Sequence, residues 1–276
     1  MSARKRVSTR TQPQPDHEYE HKFAVSRAQA GAFFETIEAR LQQVLYQPSL
    51  PIAFARTTYF DTKERRYLAS SHTAHARRIR VREYAGAAHI DAPAQMTGVS
   101  YLECKESHAG TRHKRRLRIG RDDIAALLTG RWRGADYTTD TANFFVREFE
   151  KAGGLSPLLT TWYRRQAFVS DDHIRVTLDS EIAFCRPIEA ADIADDDRGV
   201  GFAERMRATE VAGDRVVERP PTCVLEIKHR GSAPDWLRDA MTQLGAPPSV
   251  RLSKYLQGMA ALGVELHASG QVVRSG

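Results

Sequence analysis

Three consecutive segments between residues 77 and 119 carry charged side chains at every second position. These positions are Arg78, Arg80 and Arg82 in the first segment, Glu103 and Lys105 in the second, and Lys114, Arg116 and Arg118 in the third. Side chains two residues apart share one face of a strand, so each segment predicts a strand with one apolar and one charged face. Like charges on neighbouring strands repel, and a bound polyanion would offset that cost. The pattern therefore indicates a sheet face that binds an anion, although each strand alone also fits an ordinary solvent-exposed face.

Acidic residues interrupt the cationic pattern at positions suited to a divalent metal. Glu18 and Glu20 lie two residues apart in a predicted strand that continues to Lys22. Two carboxylates side by side repel each other unless a cation lies between them, and Mg²⁺ or Mn²⁺ prefers such oxygen ligands. A second acid, Glu226, shares a strand face with Lys228. The sequence thus places candidate metal ligands among the cations.

A predicted hairpin and a late helix supply further candidates. The hairpin turns at residues 170–172 and places Arg165 on one strand and Arg175 on the other. Ser253 and Lys254 begin the last predicted helix, where free backbone N–H groups, a hydroxyl and an ammonium together form a phosphate site. Ser253 equally fits a simple helix cap, so the residues alone leave both interpretations open.

Other helices are predicted between the strands from their start and stop signals. Ser26 and Gln29 match a capping box at the start of one helix, and Gly153 with Gly154 ends another. We expect these helices only to pack against the sheet. The stretch 187–221 holds an acidic run and scattered glycines, which predicts a solvated insertion.

Composition indicates a soluble chain with an anionic partner. The net charge of +7 and a pI near 9.4 favour nucleic acid, nucleotide, polyphosphate or an acidic surface. Aromatic residues make up only 8% of the chain, which disfavours base stacking as the main binding mode, and we expect no specific nucleic-acid partner. The three cysteines have no motif spacing, and the basic N-terminus has no apolar signal-peptide core. A reduced, cytoplasmic location is therefore expected.

Seven short motifs in order resemble the triphosphate tunnel metalloenzymes of the CYTH superfamily, and among these the VTC-type polyphosphate polymerase domain. They are E-x-E-x-K at 18–22, YFDT at 59–62, R-x-R-x-R at 78–82, LE-x-K at 102–105, RHKRR at 112–116, LE-x-K at 225–228 and LSKY at 252–255. The YFD and SKY segments, with the helix that precedes SKY, point to the VTC branch. The resemblance extends over residues 16–263.

The resemblance implies an α+β fold built on a closed antiparallel β-barrel, a tunnel, with helices packed outside it. The charged face would then line the interior, and the lumen must be hydrated or filled with phosphate because unpaired cations are costly in a dry core. On this basis residues 16–263 form the triphosphate-tunnel domain. Residues 1–15 are expected to be a disordered basic tail, and residues 264–276 a C-terminal tail.

The resemblance, together with the strand pattern, also implies roles for individual residues. Catalysis of phosphoryl transfer is assigned to Arg80, Arg82, Lys105, Arg165, Arg175 and Lys254. Substrate-phosphate binding is assigned to Lys22, Arg78, Lys114, Arg116, Lys228, Arg251 and Ser253. Glu226 would be the principal ligand of Mn²⁺ or Mg²⁺, with Glu103, Glu18 and Glu20 assisting.

The implied function is metal-dependent phosphoryl transfer, with synthesis of polyphosphate from ATP as the leading reaction. Water in place of a phosphate chain end would make the same site a triphosphatase. A third alternative is a catalytically silent barrel that binds polyphosphate or nucleic acid. The expected partners are ATP or another triphosphate and polyphosphate, and a membrane-protein partner that receives the product is left open.

Overall fold

The computed structural model of the chain describes residues 18–89, 92, 94–108, 111–189, 216–249, 252–266 and 272–274. The strands are β1 (Glu18–Val25), β2 (Gln42–Gln43), β3 (Ile52–Asp61), β4 (Arg77–Ala87), β5 (Gln95–His108), β6 (Thr111–Ile119), β7 (Ser156–Val169), β8 (Arg175–Cys185), β9 (Val216–Glu218), β10 (Cys223–Arg230), β11 (Val264–Leu266) and β12 (Val272–Arg274). The helices are α1 (Arg27–Ile37), α2 (Arg66–Ala69), α3 (Arg121–Leu128), α4 (Asp140–Lys151), α5 (Asp235–Gln243) and α6 (Lys254–Ala261).

One antiparallel sheet forms the frame of the molecule. Its strands follow the order β1-β10-β8-β7-β3-β4-β5-β6, with β2 beside β7 and β9 beside β8. The predicted hairpin is present as β7 and β8, and the three cationic segments are parts of β4, β5 and β6. A separate pair, β11 and β12, follows α6.

The sheet is curled, and its two ends are joined by side chains. Within the described residues β1 and β6 share no backbone ladder, so the closed barrel predicted from the sequence is an open, curled sheet here. Arg112 on β6 nevertheless donates a hydrogen bond to the carboxylate of Glu20 on β1. Long cationic side chains crowd the β6 edge, and strand edges rich in lysine and arginine resist further pairing. An ion pair between Arg112 and Glu20 therefore stands where a closed barrel would have backbone hydrogen bonds.

Helices cover the convex, apolar face of the sheet at both ends. Phe33 of α1 and Leu237 of α5 pack with Phe23 and Leu225 over β1 and β10. Helices α3 and α4 do the same over β4, β5 and β6. The capping box at Ser26 is confirmed, since its hydroxyl accepts from the Gln29 N–H at 3.1 Å. Apolar residues at alternate strand positions thus build two cores, which stabilise the curl from outside.

Helix α6 packs differently, because it lies against the charged side of the sheet. Tyr255 and Met259 are buried there with Tyr59 of β3 and Leu159 of β7. Gly258 permits the close approach, since a Cβ atom at this position would lie 2.5 Å from Leu159 Cδ2. The helix that follows the LSK motif is therefore an inner element of the fold.

Other sequence predictions meet the structure with small differences. Helix α4 ends at Lys151 and is followed by Gly153 and Gly154 with positive φ, as predicted. Helix α3 begins at Arg121 with Gly120 as its N-cap, and the Asp123 side chain accepts a hydrogen bond from the Gly120 N–H at 2.9 Å. Most of the predicted insertion and the basic tail lie outside the described residues. Among the helices that the structure describes, none has the length and apolarity needed to cross a bilayer.

Candidate functional site

Strand register places most of the predicted site residues on one face of the sheet. Directly opposed residues of antiparallel strands point to the same side, and Arg80 is opposite Glu103, which is opposite Arg116. At the far end Glu226 is opposite Lys22. The predicted residues on this side, which we call the charged face, are Glu18, Glu20, Lys22, Arg78, Arg80, Arg82, Glu103, Lys105, Lys114, Arg116, Arg165, Arg175, Glu226 and Lys228.

The charged face is the inner side of the curl. The bond from Arg112 to Glu20 joins strands at opposite ends of the sheet order. Lys105 on β5 is influenced electrostatically by Glu226 on β10 and Lys22 on β1. Strands so far apart in a flat sheet would not bring these charges together, so the side chains face one another across the concavity.

Glu103 is the centre of the cationic cluster. Its carboxylate is fully buried and accepts from Arg80 at 2.6 and 2.8 Å and from Arg116 at 2.6 Å. Lys114 Nζ lies 2.9 Å away, and Arg82 Nε lies 3.9 Å away. Burial alone would raise the pKa of Glu103, but Arg80, Arg82 and Lys114 outweigh it and hold the pKa well below its usual range. One carboxylate therefore organises four cations and cannot neutralise them all.

Two arginine nitrogen atoms on the charged face lack a hydrogen-bond partner. The buried Nε atoms of Arg78 and Arg82 make no hydrogen bond within the described residues. Lys105 makes no ion pair there either; water reaches its side chain inside the curl, but protein atoms surround it on most sides. Arg80, burial and Arg82 together lower the pKa of Lys105 to about 6. This surplus of positive charge is the chemical signature of an anion site.

Asp179, which has no role assigned from the sequence, organises a second group of cations. Arg165 donates to both carboxylate oxygens, at 2.6 and 2.7 Å, and Lys254 Nζ lies 2.5 Å from Oδ2. Burial would raise the pKa of Asp179, but Arg165 and Lys254 lower it well below its usual range. Lys254 also lies 4.7 Å from the centre of the Tyr163 ring. The alternation of residues 173–179 was the available signal, because it put Asp179 on the face of Arg175.

The start of α6 contributes a side chain to this group. Ser253 is the N-cap residue of α6, but its side chain makes no capping hydrogen bond. Lys254, the next residue, reaches Asp179 through its ammonium group. Arg251 lies outside the described residues, so the structure does not address its predicted role.

Asp61 explains the YFD motif, which the sequence reasoning used only as a resemblance. Its buried carboxylate accepts backbone N–H groups of Thr62, Tyr67 and Leu68 at 2.7 to 2.9 Å. The Tyr255 hydroxyl donates to the same carboxylate at 3.1 Å. Asp61 therefore fastens both α2 and the inner helix α6 to the end of β3.

The acidic residues of β1 and β10 differ in their freedom to bind a metal. Glu18 is bonded to Lys228 at 3.1 Å, and Glu20 is bonded to Lys22 at 2.8 Å as well as to Arg112. Burial would raise the pKa of Glu20, but Lys22, together with Lys228 and Arg112, lowers it to about 2. Glu226 has a looser contact, with Lys22 Nζ 3.6 Å away.

These contacts decide how the chain fits a divalent cation. Across the described residues no three histidine, cysteine or acidic side chains form a ready-made metal site. Mg²⁺ is commonly held by one or two carboxylates together with substrate phosphates and water. Glu226, half-buried and loosely paired, fits that arrangement with Glu20 as a neighbour, whereas Glu103 is occupied by cations on all sides.

Comparison with known proteins gives a family match and distant structural likenesses. A candidate adenylate cyclase from Bacillus halodurans is 11% identical, with a TM-score of 0.48 over 88% of this chain and 97% of that one. A protein of Pyrococcus horikoshii OT3 is also 11% identical, with a TM-score of 0.42 over 88% and 96%. A candidate adenylyl cyclase from Hippeastrum, whose description reports a dominant triphosphatase activity, is 14% identical, with a TM-score of 0.48 over 88% and 96%. Identities this low say nothing about activity.

The family assignment comes from the sequence itself. No curated protein matches the chain. The family model of the VTC domain, in contrast, matches residues 17–263, which include every strand of the curled sheet and the helix that carries Lys254. The resemblance first suggested by seven short motifs is thereby confirmed, and this chain belongs to the VTC domain family.

Proposed function

We propose that the charged face binds a triphosphate and transfers its terminal phosphoryl group, and that the main reaction is synthesis of polyphosphate from ATP. The observation that carries this proposal is the surplus of cations around Glu103. Arg82 is buried with an unbonded Nε, and four cations share the single carboxylate of Glu103. A surplus of buried positive charge is costly unless an anion neutralises it. Membership of the VTC domain family adds independent support.

Each part of the charged face has a role in this reaction. Arg82 and Lys105 would contact the phosphate oxygens directly, since in the described part of the chain Arg82 Nε makes no hydrogen bond and Lys105 makes no ion pair. Glu103 keeps Arg80 and Arg116 in place, and Asp179 does the same for Arg165. Phosphoryl transfer needs positioning and charge neutralisation more than covalent help from the protein, so fixed cations are suitable catalysts.

A divalent cation would be anchored by Glu226, with Glu20 beside it, and would withdraw charge from the phosphate oxygens when bound. Glu20 would serve that role without changing its protonation near neutral pH. Nearby cations, Lys22 first among them, keep Glu20 ionised, because they lower the pKa of that carboxyl to about 2. Mn²⁺ and Mg²⁺ share the preference for oxygen ligands on which this assignment rests.

Hydrolysis is a second candidate, favoured by the openness of the site. The side chain of Lys105 is solvent-exposed, and that of Lys114 is 42% exposed, so water reaches the cations that would hold the terminal phosphate. If water attacks, the protein is a triphosphatase. If a phosphate chain end attacks, the product is polyphosphate.

The experiment is to incubate the purified protein with ATP and Mn²⁺ or Mg²⁺ and to separate the products by gel electrophoresis. Long chains indicate polymerase activity, and free phosphate alone indicates hydrolysis. Tight polyphosphate binding without turnover would leave only the binding module. No binding of ATP, tripolyphosphate or polyphosphate would refute the proposal.

Glu226→Gln tests the metal assignment in the same assay. We expect turnover to fall by about 100-fold or more, because a metal ligand is lost while the side-chain shape is kept. Glu35→Gln, on the exposed side of α1, is the matched control and should leave turnover unchanged. Unchanged activity of Glu226→Gln would remove this residue from the metal site.

A cytoplasmic location and a membrane-protein partner that receives the product remain predictions from the sequence.

A further inference from the structure

Three tyrosines gather at one end of the charged face, beyond the last arginine of β4. Tyr84 follows Arg82 by two residues on the same strand and therefore on the same face. Tyr101 of β5 is directly opposite Arg82. Tyr46, from the segment that joins β2 to β3, stacks on Tyr84 with ring centres 6.1 Å apart and planes 29° apart. We call these three residues the tyrosine cluster.

Contacts on both sides hold the tyrosine cluster in position. The rings of Tyr84 and Tyr101 meet edge to face at 6.4 Å. Arg116, which is bonded to Glu103, lies 4.4 Å from the centre of the Tyr101 ring. The Tyr46 hydroxyl is 3.2 Å from Arg175 Nη2, across the charged face on β8. The cluster is thus tied directly to Arg116 and Arg175, two cations of the charged face.

Tyr46 is exposed where a merely structural aromatic residue would be covered. Its relative exposure is 46%, and that of its neighbour Leu45 is 42%. Arg78, at the opposite end of the β4 row, lies 6.0 Å from the ring of Tyr255 on the inner helix α6. The row of Arg78, Arg80 and Arg82 therefore runs from α6 towards an open aromatic surface.

We propose that the tyrosine cluster is a nucleobase subsite, which holds the base of a nucleotide whose phosphates lie on the charged face. This inference rests on the proposed function, because it requires a triphosphate on Arg82 and Lys105. A nucleotide whose phosphates lie along the arginine row has its base at the end where Tyr46 is exposed. Every base has an aromatic face, so stacking accepts all of them with little discrimination. The subsite would favour nucleotides over inorganic triphosphate by adding this contact.

Calorimetric titration of the full chain, without added metal so that no turnover occurs, tests the inference. The ligands are the β,γ-imido analogues of ATP and GTP, and tripolyphosphate, which has no base. Tyr46→Ala should weaken both nucleotide analogues about tenfold, the effect expected for loss of one base-stacking ring. It should leave tripolyphosphate unchanged. Tyr46→Phe should bind like the wild type, and so should the matched control Leu45→Ala.

Each other outcome overturns the inference in a recognisable way. Equal weakening of all three ligands by Tyr46→Ala would mean that Tyr46 only positions Arg175. Unchanged nucleotide binding would mean that the cluster only packs, while the proposed function stands on tripolyphosphate binding. Binding of none of the three ligands by the wild-type protein would overturn the proposed function and this inference with it.

Discussion

Buried arginines lie on both faces of the sheet at strands β3 and β4, in two ionic groups. On the convex face Arg56 pairs with Glu83 through two hydrogen bonds of 2.6 and 2.7 Å, and the side chains are 0% and 3% exposed. The Trp162 ring lies 5.0 Å from the Arg56 guanidinium. On the concave face Arg80 and Arg82 share Glu103 with two further cations. Arg82 and Glu83 are adjacent in β4, yet Arg82 lies on the concave, charged face and Glu83 on the convex face.

The difference between these groups lies in how well the charges match. A buried pair of one cation and one carboxylate satisfies itself and is part of the scaffold. A buried carboxylate surrounded by four cations leaves positive charge for something else. Exposure alone would not separate the two groups, because Arg80 and Arg82 are almost as buried as Arg56. The balance of charges therefore distinguishes the candidate site from the core.

The largest effect is expected on the matched pair. Glu83→Gln should lower the free energy of unfolding by about 3–5 kcal/mol, because it leaves the Arg56 charge buried and uncompensated. Denaturant titration measures this loss. The double variant Arg56→Met, Glu83→Leu should recover most of it by replacing the pair with apolar contacts. A loss below about 1 kcal/mol, the size of an exposed pair, would show that the convex pair is hydrated.

Glu103→Gln should lower the free energy of unfolding by less than Glu83→Gln does. Its lost stability should be restored by a bound anion. We expect a loss of about 1–3 kcal/mol in unfolding free energy, since two of the cations that lose their partner, Lys114 and Arg116, are partly exposed and can turn to water and counter-ions. Tripolyphosphate should restore the stability of Glu103→Gln in thermal unfolding but should not restore Glu83→Gln. Equal behaviour of the two variants towards tripolyphosphate would remove the distinction between the two faces.

Arg82→Met tests the surplus charge itself. Tripolyphosphate binding should weaken about 10- to 100-fold, because a hydrogen bond to a charged group contributes about 1.5–3 kcal/mol. Stability without ligand should stay the same or rise, since repulsion with Arg80 and Arg165 is relieved. Arg66→Met is the control, because Arg66 has a 63% exposed side chain near Glu64 and lies away from the charged face. A marked loss of stability in Arg82→Met would assign this arginine to the scaffold.

The smallest expected effect is the uptake of a proton when a triphosphate binds. Arg80, burial and Arg82 lower the pKa of Lys105 to about 6, so the amine is mostly neutral near neutral pH without ligand. A bound triphosphate offsets those charges and raises the pKa, so binding should take up close to one proton. Titration calorimetry in buffers of different ionisation enthalpy measures this uptake. It should shrink below a pH of about 6, where Lys105 is already charged.

Lys105→Arg provides the control for proton uptake. Arginine stays charged at every accessible pH, so this variant should bind tripolyphosphate without taking up the proton. Uptake that persists in Lys105→Arg would mean that another group titrates. The convex pair of Arg56 and Glu83 offers no such response, since both charges are already matched.

Much of the site follows from local pattern. The alternation at residues 78–82 predicted which arginines share a face, and the stop at Gly153 and Gly154 predicted the end of α4. Asp179 was visible on the correct face but had no assigned partner. The buried pair of Arg56 and Glu83 escaped notice, because nothing in either segment shows that the two residues are opposite each other. The closed barrel was predicted from the resemblance, but β1 and β6 share no backbone ladder within the described residues. Whether these two strands pair depends on how the edges of the whole sheet meet.

The sequence by itself determined the period of two along each strand, the helix caps and the excess of positive charge, because these depend on neighbouring residues and on composition. Tertiary structure decided which charges are matched. Lys254 reaches Asp179 across 75 residues of chain, and Tyr46 reaches Arg175 across 129. Such pairs depend on strand order, register and curl, which arise from the packing of the whole sheet.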